Sequence, residues 1–387
     1  MHLRWIPLLA CPLSAPLWAD VTLYGELHGS LGRHTLSRGP NQNRLDNAGT
    51  HFGIKGSESL GNGLKTLWQI ELEAELDGSK APSPGQTFAG LSDASLGTLR
   101  LGHLNSALKG LYTVNQWRSG GSIAHHRHQG HEGMRNFGAD ALKVFTNPGK
   151  RLKNAIAYDS PVVAGFQTSL SYGFGENATR DSTGQAEIER PSDIFSLGLS
   201  YAAQGWFAAY AFQREANPCS LRRTGDKKEC RPQAGGELEP AHLHYFEAGY
   251  RNDQWLLALA WQQARGYDWT DGFSGDSQHP QGTTGSMKSA AESRLQTRQA
   301  ALSLAHTRGA ITAKLTLAHG WDQRTNGERL PQTGYRQWII GADYQLSKRT
   351  QAGIAHGRLI FAPQAGAAVA ARATTLTSTS LSLSHKF

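Results

Sequence analysis

Hydrophobic and polar residues alternate along this chain far more often than they cluster. Over residues 377–387 the odd positions Leu381, Leu383, His385 and Phe387 share one side, and Ser380, Ser382, Ser384 and Lys386 share the other. A period of two with one apolar face marks a half-buried β-strand. Val21, Leu23, Leu27 and Leu31 draw the same pattern near the opposite end. A free terminal strand frays unless something holds it. The two end strands are therefore expected to hold each other, as barrel closure requires, with apolar side chains toward lipid and polar ones toward the lumen.

Between them the same period recurs over 50–55, 64–76, 87–92, 98–103, 151–159, 166–174, 194–201, 206–213, 243–250, 255–263, 295–305, 311–321, 337–346 and 351–361. With 21–31 and 372–387 this predicts about sixteen strands. Short gaps such as 202–205 alternate with long ones such as 77–86 and 104–150, and the long gaps are rich in Gly, Ser, Asn, Asp and Lys. Short turns on one rim and long loops on the other are the layout of an outer-membrane barrel. Aromatic residues recur near strand ends (Tyr24, Trp68, Tyr158, Trp206, Trp255, Trp321, Trp338 and Phe387), where interfacial girdles are expected.

Composition narrows the alternatives. The mean hydropathy is −0.47 and there is no uninterrupted run of 18 apolar residues, which excludes a helical membrane protein. Barrels hide their apolar content in alternation, so a polar average does not argue for solubility. No period of 20 to 50 residues recurs, against solenoids and propellers. Residues 1–19 carry one cation, Arg4, then an apolar run ending in Leu17-Trp18-Ala19. They are expected to form a secretory leader cleaved after Ala19, although Pro7, Pro12 and Pro16 interrupt the run. The rival is a lipidated Cys11, for which the preceding stretch is short. Loss of the leader leaves Cys219 and Cys230, expected as a loop-closing disulfide in an exported chain; the alternative is two free thiols. Neither lies in a tight pair beside a histidine, so zinc is not expected there.

Several segments resemble the general porins of β-proteobacteria and Neisseria. Val21-Thr-Leu-Tyr-Gly25 is similar to their first strand, and Phe52-Gly-Ile-Lys-Gly-Ser-Glu-Ser-Leu-Gly-Asn-Gly-Leu-Lys65 to their second hairpin. Leu96-Gly-Thr-Leu-Arg-Leu-Gly102, Tyr158-Asp-Ser-Pro161 with Ala164-Gly-Phe166, Leu346-Ser-Lys-Arg-Thr350 and His385-Lys386-Phe387 complete the set in chain order. The resemblance implies an all-β, sixteen-stranded transmembrane antiparallel barrel over 20–387. It implies a homotrimer, and a third loop (104–150) folded inward as a constriction. His51 and His103 stand where the family commonly has arginine, and Ser59 where an acid is usual.

Parity assigns the lumen. In the strand 64–76 the outward set leaves Glu71, Glu73 and Glu75 inside. Arg100, Arg151, Lys153 and Asp159 fall inward on the next strands, as do His51 and Lys55. An acidic strip facing a basic strip would place a transverse field across a pore; the alternative is mutual neutralisation. The third loop adds Arg118, Arg127 and Arg135 among its cations, and a histidine group of His125, His126, His128 and His131. Imidazoles can bind transition metals, but such a loop group is more commonly hydrated, and no metal or cofactor is assigned.

Ser106-Ala-Leu-Lys109 fits an S-x-x-K pattern without the motifs that should follow it, and no P-loop or His-Glu-x-x-His is present. The function expected is passive diffusion of small hydrophilic solutes and ions through the bacterial outer membrane. The alternatives are an adhesin or a barrel hydrolase. Partners expected are a second and third copy, membrane lipid and lipopolysaccharide, and no nucleic acid. With the leader removed, 38 Lys and Arg stand against 31 Asp and Glu. Loop cations such as Lys227 and Lys228 are expected to meet lipopolysaccharide phosphates, and the constriction to favour anions.

Overall fold

The structure, a computed structural model, describes residues 20–37, 41–47, 49–74, 76, 81–111, 113, 114, 144, 151–175, 178–180, 186–188, 193–216, 222–224, 227–229, 240–265, 296–325, 327–361 and 375–387. The wall begins with β1 (Asp20–Leu36), β2 (Gln42–Asn47), β3 (His51–Gly61), β4 (Leu64–Glu73), β5 (Ser83–Asp93) and β6 (Gly97–Asn105). After a single 3-10 turn (Leu108–Gly110) come β7 (Arg151–Asp159) and β8 (Phe166–Gly173). Next are β9 (Ala178–Arg180), β10 (Ala186–Ile188), β11 (Ile194–Ala203), β12 (Trp206–Glu215), β13 (Arg222–Thr224) and β14 (Lys227–Glu229). Then follow β15 (Ala241–Arg251), β16 (Trp255–Arg265), β17 (Gln296–Arg308), β18 (Ile311–Gly320), β19 (Arg324–Thr325) and β20 (Glu328–Arg329). The last are β21 (Tyr335–Gln345), β22 (Thr350–Phe361) and β23 (Thr375–Lys386).

Each wall strand pairs antiparallel with its neighbours in the chain, and β2 with β3 forms one stave in two pieces, giving sixteen staves. The pairs β9–β10, β13–β14 and β19–β20 are small hairpins within loops.

Closure joins β1 to β23 over eleven rungs, from Glu26↔Lys386 to Leu36↔Leu376. Two further backbone bonds extend the seam: Gly25 N–H donates to Phe387 O (3.2 Å), and Phe387 N–H to Gly25 O (3.1 Å). The Phe387 ring covers Gly25 so closely that a Cβ there would lie 2.4 Å from it. The expected alternation holds on both strands, with Leu23, Leu31, Leu381 and Leu383 exposed outward and Ser30, Ser380 and Ser384 buried inward. A closed sheet leaves no row of unpaired backbone groups at an edge, which lipid could not satisfy.

Aromatic rings gather toward the rim of short turns, as in Trp206–Tyr250 (5.2 Å between centroids) and Phe166–Tyr201 (4.7 Å). Tyr24 departs from the girdle expectation. It lies on the inward face of β1, where its hydroxyl donates to Glu71 Oε2 (2.9 Å), because the period of two sends Tyr24 and Glu26 to the side opposite Leu23.

Candidate functional site

Strand parity and three irregularities decide what the lumen presents. Register shifts occur between Ile70 and Leu72 on β4, between Gly102 and Leu104 on β6, and between Ser59 and Gly61 on β3. At the second, Gly102 faces Ala155 and Leu104 faces Leu152, so β7 holds the extra residue, and Asn154 takes φ 48°. A bulge of this kind re-aims the side chains beyond it. Leu152 joins Leu104, Ala155 and Ala157 in an apolar cluster backed by Phe88 and Ile194. Lys153 and Asn154 are both exposed there, so the simple alternation that would place Lys153 stops at the bulge.

The charged residues of this sector are held in pairs. Arg100 Nη2 donates to Asp159, its guanidinium lies 5.5 Å from the Phe88 ring centre, and Ser169 Oγ donates to Asp159 Oδ1 (2.6 Å). Arg151 reaches Glu73 (2.5 Å), Asn105 Oδ1 (3.3 Å) and the Pro84 carbonyl (2.9 Å). Glu71 is fully buried, accepting from Tyr24 and from Gln86 N–H (3.5 Å). His51 is buried with Nδ1 2.9 Å from the Gly49 carbonyl, and Lys55 stays exposed with Nζ 5.1 Å from the Tyr24 ring centre. Glu75, Arg118, His125, His126, Arg127, His128, His131, Arg135, Cys219 and Cys230 lie outside the described residues, as do residues 1–19.

The third loop leaves β6, and its described residues are tied to the inner wall. Ala107 N–H donates to Ser171 Oγ and Leu108 N–H to Ser196 Oγ, each at 3.0 Å. Further on, Thr113 N–H (2.6 Å) and Val114 N–H (3.3 Å) both donate to Glu247 Oε2, which also accepts from Tyr245 Oη (2.7 Å). Ser303 Oγ donates to the Val114 carbonyl. Leu108, Val114 and Val144 then pack against Ala211, Ala258, Ala260, Ala301, Ala318 and other inner residues of β12 to β23. Small side chains at these inner positions leave the room that the loop fills, and burial of its backbone is tolerable because each described polar group named here has a partner. Within the loop, burial pushes the Lys109 ammonium down to about 7, with the Arg151 charge acting the same way and Glu73 opposing it.

Sequence reasoning missed Glu247, a lone acid inside the apolar strand 243–250. It also missed the docking wall, whose signal is the frequency of Ala, Ser and Thr at alternate positions of β16 to β18, interrupted by Gln262, Gln299 and Lys314.

The two signs of charge are unequally free on the inner wall. Among the described lumen-facing carboxylates, Glu26, Glu71, Glu215 and Glu247 are buried, Glu73, Asp159 and Asp343 sit against Arg151, Arg100 and Lys314, and Asp20, at the start of β1, is exposed. Lys55, Lys65 and Arg251 are exposed. Among the described residues no group of three or more His, Cys, Asp or Glu is placed to hold a metal ion.

A closed sixteen-stave barrel with an apolar outer face, a polar inner face and an inward loop defines an outer-membrane channel. The model of the Gram-negative porin family matches residues 8–359, and the chain belongs to that family. It is 30% identical to the major outer membrane protein P.IB of Neisseria gonorrhoeae over 369 residues, covering 92% of each chain. The namesake of Neisseria lactamica is 29% identical over 396 aligned positions, covering 99% of this chain and 98% of that protein. In fold the chain is similar to an anion-selective porin from Comamonas acidovorans, with a TM-score of 0.63 at 20% identity over 96% of this chain and 100% of that one. It is an outer-membrane passive channel, as its alternation and loop layout predict.

Proposed function

We propose that this channel passes small anions in preference to cations, and that it does so as a homotrimer. The observation that carries the preference is the unequal freedom of charge on the inner wall: all its described carboxylates but Asp20 are buried or paired, with Lys55, Lys65 and Arg251 open to water. In a narrow passage such charges are screened less than on an open surface. The loop cations Arg118, Arg127 and Arg135 would act in the same direction. The histidines His125, His126, His128 and His131 would add charge below about pH 6.5. Reversal potentials in a planar bilayer under a salt gradient test this. The expected sign is anionic at neutral pH and more so in acid; a cationic sign overturns it.

The trimer is supported by the continuous apolar outer face of β1 to β3, with Val21, Leu23, Leu27, Leu45, Phe52 and Ile54 exposed. A trimer form is also recorded for the structurally similar OmpT of Vibrio cholerae (TM-score 0.60, 11% identity, covering 95% of this chain and 99% of that one). Mass measurement in detergent checks it, a monomer being the failing result. The channel reading, set against that of a barrel hydrolase, rests on family membership, and conductance steps without ester or peptide turnover separate the two. Lipopolysaccharide is the proposed lipid partner at the external rim. The Cys219–Cys230 bridge is supported by the β13–β14 hairpin between them, and thiol labelling of unreduced protein tests it.

A further inference from the structure

On the outer face of the wall, at the long-loop end, β16, β17 and the segment after β18 meet the β19–β20 hairpin around a cleft of about 690 Å3. Trp261 and Trp321 line it together with Arg298, Arg324 and Arg329. Parity places it outside the barrel: Trp261 follows Leu257 and Leu259 on the exposed face of β16, while Ala258 and Ala260 face the third loop. Asp322, the one acid in the lining, is already engaged. Its Oδ2 accepts from Arg329 Nε (2.8 Å) and Nη2 (2.6 Å), and its Oδ1 from Gly334 N–H (2.8 Å). That contact aims one guanidinium and leaves Arg298 and Arg324 as the cations of the cleft; among the described residues neither has an ion pair.

We infer that this cleft binds the phosphorylated saccharide headgroup of an outer-leaflet glycolipid. Guanidinium groups take phosphate oxygens in bidentate pairs. Indole rings at a membrane interface offer a flat apolar face and a ring N–H at headgroup height. The Gln263 and Gln296 amides, also in the lining, supply donors and acceptors for sugar hydroxyls. The occupant is assigned to a lipid, not a free anion, because an apolar band continues directly below. Leu257 and Leu259 of β16, Leu302 and Leu304 of β17, and Leu317 of β18 lie on the same outer face, so a headgroup in the cleft would lay its acyl chains along them. Arg336 on β21 and Arg358 on β22 extend the cationic row sideways at the same end of the barrel. The inference deepens the lipopolysaccharide contact proposed above and rests on it for the leaflet, but not on the ion preference of the pore.

The test uses the full folded chain in detergent micelles, titrated with bisphosphorylated lipid A, dephosphorylated lipid A and inorganic pyrophosphate. Native mass spectrometry reads the bound lipid. Bisphosphorylated lipid A is expected to bind about tenfold more tightly than the dephosphorylated form, and the double variant Arg298→Ala, Arg324→Ala to lose about that factor. Single-channel conductance of the variant should be unchanged, since both residues lie outside the pore. Should the double variant fail to assemble, Trp321→Leu is read in the same titration, with an expected loss of about threefold. Equal binding of the two lipids, or undiminished binding by a conducting variant, overturns the inference while leaving the channel intact. Competition by pyrophosphate at the lipid's own concentration overturns the assignment to a lipid.

Discussion

The two halves of the inner wall are built on different principles. From β3 to β7 the inward side chains are charged and answer one another: Glu73 with Arg151, Arg100 with Asp159, Glu71 with Tyr24. From β15 to β22 most are small or amide-bearing and buried, as with Ala258, Ala301, Ser303, Thr316 and Gln337, and the charges among them are Glu247, Arg251 and the Lys314–Asp343 pair. The first half faces the solute path with charge; the second receives the third loop. Pore size and ion preference are therefore set by different residues, and substitutions should separate them.

Removing the anchor of the loop should have the largest effect. Glu247→Ala removes the carboxylate to which two backbone N–H groups and the buried Tyr245 hydroxyl donate, at a cost of about 1–3 kcal/mol for each group that finds no replacement. The expected outcome is a loop released from the wall. Conductance should rise and proteolysis near residue 113 quicken, while the β circular-dichroism signal is kept. Ala258→Leu attacks the same contact from the wall side by overfilling a fully buried site against the loop, at about 1–3 kcal/mol. A lower melting temperature with altered conductance is expected, whereas ion preference should move little.

Arg100→Ala probes the opposite half. Asp159 keeps Ser169 as a donor but loses its cation, so the anion-to-cation permeability ratio should fall by about twofold with little change in conductance. Gln262→Ala on the docking wall is the control and should leave the ratio alone. If both variants shift selectivity equally, the division of labour between the walls is wrong.

The smallest effect concerns the external rim. Tyr172 Oη and Gly175 N–H donate to Asp193 and hold its carboxyl below the ordinary aspartate range. Burial raises the Asp322 carboxyl, but bonds from Arg329 and Gly334 outweigh it, so that group is lowered too. A depressed carboxylate contributes stability above its unfolded value of about 3.9, which is lost as pH falls through the lower folded value. These rim contacts should persist at pH 5 and weaken below about pH 4, as hydrogen exchange at Gly175 and Gly334 would show.

Much of this was legible from alternation alone. All sixteen staves, the closing pair and the inward positions of Glu71, Arg100 and Lys55 follow from a period of two, because a one-residue slip would turn each apolar set into the lumen. What escaped is what alternation does not encode. The extra residue beside Asn154 has no periodic signature, yet it seats Leu152 in the apolar cluster and ends the parity that pointed Lys153 inward. Partnership escaped as well. Arg100 and Asp159 lie far apart in sequence, and only the register of β6 on β7 brings them together, so two apparent strips of charge become a set of local pairs.

The seam where Phe387 lies over Gly25 also constrains time. Those two positions bracket nearly the whole described chain, and no shorter product contains their contact. Every partly made barrel therefore keeps two open strand edges in which backbone groups seek any partner available. Closure pairs the strands furthest apart in sequence, and the entropy of gathering so long a loop makes it slow to reach. A chain lacking β23 would not be a slightly weaker channel but a sheet without an inside, so the seam separates finished molecules from unfinished ones before any solute tests them.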